Sequence, residues 1–156
     1  MKVFLAFLFL FCLCSFGQSK DISAIVHANR FDIYVGGGYG INTSRGNQFD
    51  IQILLGTRNT YFANALHPAL LFNYSISVFQ NKQISLFSGL QLYTSHLPIA
   101  SQRSIKSDLG LHIGFEVGDR WKWAIQMGPA LGTEFYSLGR QNYFNIYGTT
   151  KLSYEI

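Results

Sequence analysis

Strict alternation of apolar and small or polar residues dominates the C-terminal half of this chain. Leu109, Leu111, Ile113, Phe115 and Val117 occupy every second position, with Gly110, His112, Gly114, Glu116 and Gly118 between them. After Gly118-Asp119-Arg120 the pattern resumes with Trp121, Trp123, Ile125 and Met127, interleaved with Lys122, Ala124, Gln126 and Gly128. Successive side chains of a strand point to opposite faces, so each segment carries one apolar row and one polar or small row. A run of such segments of about ten residues, separated by turn residues, is the sequence form of a transmembrane β-barrel.

The same alternation predicts further strands on both sides of this hairpin. Asn142 to Ile156 places Phe144, Ile146, Leu152, Tyr154 and Ile156 on one face. Gln83 to Thr94 and Ala69 to Phe79 form a second hairpin across Gln80-Asn81-Lys82, whose residues suit a short turn. Upstream, Phe49 to Leu55 and Phe31 to Ile41 give two more strands, for seven in all. Single-chain bacterial barrels have even strand numbers. The short alternation Ile22 to Ala28 is the preferred eighth strand; the alternative is that Tyr61 to Leu66 pairs at a sheet edge and the N-terminal stretch hangs free. With the last strand running toward the periplasm, the turns at Asn81 and Asp119 are periplasmic. Ser95 to Lys106 and Glu134 to Gln141 are then expected as long outward loops.

The start of the chain reads as an export signal. Lys2 precedes an apolar run from Val3 to Phe16, and Ser15-Phe16-Gly17 places small residues before a cut ahead of Gln18. The run is short for a spanning helix of roughly 20 residues. The bulky neighbours of Cys12 and Cys14 do not suit a lipidation site. The expected organisation is therefore a signal peptide at 1–17 and one barrel domain at 18–156. Both cysteines fall inside the signal, so disulfides and thiol chemistry are excluded from the mature part. Charged residues make up 13% of the chain, against roughly 25% in soluble domains, yet no second long apolar run exists.

Taken over residues 18–156, the chain resembles small outer-membrane β-barrels of the OmpA/OmpX type, and the Phe-Gly-Gln junction at 16–18 resembles export signals of Bacteroidota. The resemblance implies an all-β, eight-stranded antiparallel barrel in the outer membrane of a Gram-negative cell. It implies no particular activity. Chains of this kind often end in Phe, whereas this one ends in Ile156.

A soluble barrel with an apolar ligand cavity is the competing architecture. It would carry Lys and Glu on its polar face; here that face holds Gly, Ser, Asn, Gln, Tyr and Thr with few charges, which fits the filled interior of a small membrane barrel. A three-residue turn at 118–120 would set Val117 against Trp121, Glu116 against Lys122 and His112 against Gln126. These four polar residues are the lumenal candidates, with Glu116 and Lys122 as a charge pair. His112 and Glu116 lie four positions apart on one strand, about 13 Å at the usual rise, which is too far for a direct hydrogen bond.

Other chemistries find little support. Some barrels of the resembled type are lipid A deacylases or acyltransferases, but their His-x-Ser pattern is absent because His96 is followed by Leu97-Pro98. His27, His67, His96 and His112 lack metal-ligand spacing, so no metal or cofactor is expected. No helix follows Gly36-Gly37-Gly38-Tyr39-Gly40, which rules out a phosphate loop. The net charge of +4 is not clustered, and no nucleic-acid partner is expected. Arg58, Arg103, Lys106 and Arg140 are expected in outward connections, where they could pair with the phosphates of lipopolysaccharide. The expected function is that of a non-enzymatic structural or loop-displaying barrel or an accessory subunit of a larger outer-membrane complex, with outer-membrane lipid and lipopolysaccharide as its surroundings; a narrow pore or a lipid A-modifying enzyme is the alternative.

Overall fold

The computed structural model describes residues 19–30, 32–43, 46–60, 63–81, 83–99, 102–136 and 139–156. Eight antiparallel strands follow one another in chain order: β1 (Ser19–Asn29), β2 (Ile33–Asn42), β3 (Gln48–Thr60), β4 (Ala63–Gln80), β5 (Ile84–Ile99), β6 (Gln102–Gly118), β7 (Trp121–Tyr136) and β8 (Gly139–Glu155). Each pairs with its neighbours, and β1 pairs with β8, so the sheet closes into a barrel without a crossover. The eighth strand is β1, longer than the alternation at Ile22 to Ala28. Residues 63–66 belong to β4 rather than to a separate edge, while Tyr61 and Phe62 lie outside the described residues.

Closure fixes the tilt of the strands. From Leu152 in β8 the ladder partners run Ala24, Gly37, Ile53, Leu70, Thr94, Ser107 and Thr133, and return to β8 at Asn142 rather than Leu152. This ten-residue offset (152 against 142) is the stagger a tilted closed barrel requires. Both described chain ends, Ser19 and Ile156, lie at one end of the barrel, called here the termini end.

Two sequence expectations are corrected. Ser95 to Lys106 and Glu134 to Gln141 are not long loops; β5 continues to Ile99, β6 starts at Gln102, β7 runs to Tyr136 and β8 starts at Gly139. The polar Ser, Thr and Gln residues that read as loop are placed by the barrel as ladder residues. The second correction concerns the hairpin register. Gly118 stays in the ladder at φ 130, a conformation L side chains rarely adopt, and its N–H donates to the Gln83 carbonyl at 2.9 Å. Asp119 and Arg120 separate the two strands, and the three residues Asp119 to Trp121 lie inside the closing pair Gly118–Lys122. Val117 therefore opposes Trp123, Glu116 opposes Ala124, Gly118 opposes Lys122 and Gly114 opposes Gln126. The displacement is an even number of residues, so the predicted faces survive although the predicted partners do not.

The two faces are inverted relative to a water-soluble barrel. Ile53, Ile113, Leu131 and Ile146 on the outer face are 65%, 67%, 72% and 65% exposed, while Asp21, His27, Asn73, Gln91, His112 and Asn145 inside are at most 2% exposed. Outward hydroxyls turn back onto the barrel: Ser88 Oγ donates to the His112 carbonyl at 3.0 Å, and Thr94 Oγ1 to that of Lys106 at 3.1 Å. Trp123 Nε1 likewise donates to Thr150 Oγ1 at 2.9 Å.

Inside, the large rings sit against glycines. A Cβ on Gly56 would lie 2.4 Å from the Tyr34 ring, one on Gly110 2.6 Å from the Tyr147 ring, and one on Gly114 2.5 Å from Phe87. The small members of the alternating pattern thus make room for rings reaching across the lumen.

Candidate functional site

The polar side chains converge in the lumen, where they form successive tiers. Charged groups hold the termini end. Lys122 Nζ lies 2.8 Å from Glu155 Oε2 and 4.0 Å from Asp21 Oδ1, and Asn42 Nδ2 donates to Asp21 Oδ2 at 2.7 Å. Across the lumen, Lys151 of β8 donates to Asp50 of β3 at 3.3 Å, a pair in which both side chains are less than one-tenth exposed. A polar cavity of about 280 Å³ opens here, lined among others by Asn42, Ser75, Phe87, Glu116, Lys122 and Glu155.

Amides occupy the next tier. Gln52, Asn73, Gln91 and Gln126 are all buried, and Gln126 Nε2 donates to Gln91 Oε1 at 3.4 Å. His112, 1% exposed, shares a 2.9 Å hydrogen bond between its Nε2 and Ser75 Oγ. Both amide atoms of Gln52 and of Asn73, and His112 Nδ1, have no hydrogen-bond partner within the protein.

Rings fill the tier beyond. His27 stacks on Tyr93 with centroids 5.3 Å apart and lies 5.7 Å from the Tyr147 ring, while Tyr34 meets Tyr93 edge-on at 5.4 Å. Tyr34 and Tyr93 also belong to a buried apolar cluster with Ile25, Leu54, Ala69 and Leu71. His27 is oriented by a 2.8 Å hydrogen bond between Nδ1 and Thr149 Oγ1.

A second charged network caps the rings at the far end. His67 Nε2 is 2.7 Å from Tyr34 Oη and 3.6 Å from Asp32 Oδ2, and Tyr34 Oη donates to Asp32 at 3.2 Å. Asp108 accepts from Tyr143 Oη and, at 2.9 Å, from Asn145 Nδ2. Glu134 accepts from Ser104 Oγ and Tyr136 Oη, both at 2.8 Å. An Asp–His–Tyr constellation has the residue types of acid–base chemistry. Here its members are turned on one another.

The sequence candidates fall as follows. His112 and Gln126 are buried in the amide tier, whereas Glu116 and Lys122 line the termini-end cavity. The expected Glu116–Lys122 pairing is replaced by Lys122 with Glu155 and Asp21, because the Gly118 register moves Ala124 opposite Glu116. Arg58 belongs to β3, Arg103 and Lys106 to β6 and Arg140 to β8, so the expectation that they sit in connections is corrected. Arg140 is exposed, but Lys106 is 2% exposed on the inward face and is not an outward group; the side chains of Arg58 and Arg103 lie outside the described residues.

Sequence reasoning missed the cross-lumen pair Asp50–Lys151 and the cluster around Asp32 and His67. The inward parity of Asp50 between Phe49 and Ile51 was a usable signal for the first. The second joins residues 35 positions apart (32 and 67), and only the closed topology shows that they meet. Among the described residues, no group of three or more His, Asp or Glu side chains is arranged to hold a metal ion. Comparison of the chain with protein-family models, curated proteins and solved structures gives no match.

Proposed function

We propose that this chain is an integral outer-membrane β-barrel that acts without catalysis, as a structural barrel or as an accessory subunit of a larger outer-membrane complex. The inversion of its two faces carries the reading. A closed barrel satisfies every ladder group internally, which is what a hydrocarbon surrounding demands. Its outer rows are apolar, and the Ser88 and Thr94 hydroxyls among them are bonded to backbone carbonyls, which lowers the cost of placing them in lipid. In water, an apolar surface of this extent would drive association.

The even strand number puts both termini on one side, taken as periplasmic for a chain exported on residues 1–17. Trp121, Trp123 and Tyr154 cluster near that end, as an interfacial aromatic girdle would. Arg140 at the far end suits the anionic headgroups of the outer leaflet. The ring tier stands against the pore reading, and the mutually bonded Asp32–Tyr34–His67 network against the enzyme reading.

Fractionation and gel mobility test this directly. The protein extracted with outer membranes should migrate differently before and after boiling, as folded barrels do. Recovery of a detergent-free soluble monomer would overturn the proposal.

A further inference from the structure

We propose that the lumen is a blind pocket, entered by solvent from the termini end and sealed by the ring tier, whose floor binds water and small uncharged hydrogen-bonding solutes. The inference extends the filled-barrel reading given above, but it concerns the lumen and is tested separately from the membrane.

The termini-end cavity gives the entrance, with Ser75 and Phe87 among its lining. Ser75 is bonded to His112, so the cavity wall and the amide tier share one hydrogen-bonded element. Behind it lie Gln52, Asn73 and His112, each at most 1% exposed, with five polar atoms among them unpartnered within the protein. Burying an amide without a partner costs roughly 1–3 kcal/mol on mutational scales. Several such groups, drawn from β3, β4 and β6 into the lumen, mark a place where a ligand supplies the missing bonds. Amide and imidazole groups both donate and accept, which selects an uncharged ligand that does the same.

The seal follows from packing. His27, Tyr34, Tyr93 and Tyr147 come from β1, β2, β5 and β8 and are at most 3% exposed. Their centroids lie within 5.3–5.7 Å along the chain Tyr34–Tyr93–His27–Tyr147, a contact geometry that leaves no room for water between rings.

The absence of cysteine from residues 18–156 makes thiol mapping direct. Four variants of the mature chain would be folded in detergent: Ser85→Cys on the cavity wall, Ser75→Cys at its floor, Asn73→Cys in the amide tier and Ala69→Cys among the rings. Each would be checked for heat-modifiable mobility, then exposed to a small water-soluble methanethiosulfonate. The first three should react on the order of tenfold or more faster than Ala69→Cys, which reacts only through local opening. Should Ser75→Cys fail to fold, Ser85→Cys and Asn73→Cys still define the depth of access. Reaction at Ser85→Cys with protection at Asn73→Cys would remove the pocket floor from solvent. Equal rates at Asn73→Cys and Ala69→Cys would remove the seal. Either result overturns the inference. Leu90→Cys on the outer face separates it from the membrane reading: free reactivity there would sink that reading and leave the pocket standing.

Discussion

The outer and inner rows of β6 alternate residue by residue, yet they obey opposite rules. Leu109, Leu111 and Ile113 point outward and are 59%, 61% and 67% exposed, while Asp108, Gly110 and His112 between them are buried. The outer row needs only to be apolar, because no described part of the protein packs over it. The inner row is held by specific partners: Asp108 by Tyr143 and Asn145, Gly110 by the Tyr147 ring, His112 by Ser75. One face is thus tolerant of shape and intolerant of charge. The other accepts charge only where it is matched, and is intolerant of added volume.

Substitutions on the two faces should separate these rules. The largest effect is expected inside, at the cross-lumen pair. Lys151→Met strands the Asp50 carboxylate in a buried position and should destabilise the barrel by about 3–5 kcal/mol in urea unfolding from detergent or bilayers. Combining it with Asp50→Leu should recover much of that loss. No recovery would mean the pair does not act as a unit.

On the outer face, Ile113→Arg places a cation at mid-strand and should cost about 2–4 kcal/mol. The neighbouring Gly114→Ser sharpens the contrast, since a Cβ there would meet Phe87 at 2.5 Å and the Ile125 carbonyl at 2.6 Å. Overpacking of that kind should cost about 1–3 kcal/mol, whereas Ile113→Leu should be nearly silent. If the serine is tolerated as well as the leucine, the inner face is looser than the ring-over-glycine packing requires.

The smallest effects test the register. Lys122 and Glu155 are partly exposed at the rim, so a double-mutant cycle on Lys122→Met and Glu155→Gln should give a coupling of about 0.2–1 kcal/mol. The same cycle on Lys122 and Glu116 should give a smaller coupling, since Ala124 and not Lys122 stands opposite Glu116. A larger coupling for Glu116 than for Glu155 would restore the turn at 118–120 with Glu116 opposite Lys122.

Strand number, the barrel fold and the facing of side chains within the recognised strands were legible in the sequence, because a period of two runs through most of each of those strands. Pairing partners were less legible. They depend on one backbone angle at Gly118, which a residue pattern does not report. The strand ends beyond Ser95 and Glu134 were misread because their polar residues resemble loop composition, although a ladder accepts them equally well. The lumen network was the least legible part. Asp32 meets His67, and Asp50 meets Lys151, only after the sheet closes with its ten-residue offset, so no local motif announces them.

The central claim is that the apolar row faces lipid, and depth-dependent quenching tests it most directly. The only tryptophans, Trp121 and Trp123, can be replaced by Phe and a single reporter introduced as Ile113→Trp. In bilayers whose acyl chains carry bromine near the membrane centre, the account predicts strong quenching of this reporter and little quenching of Gln126→Trp on the inward face. Absence of quenching at position 113, or equal quenching at both positions, would contradict it.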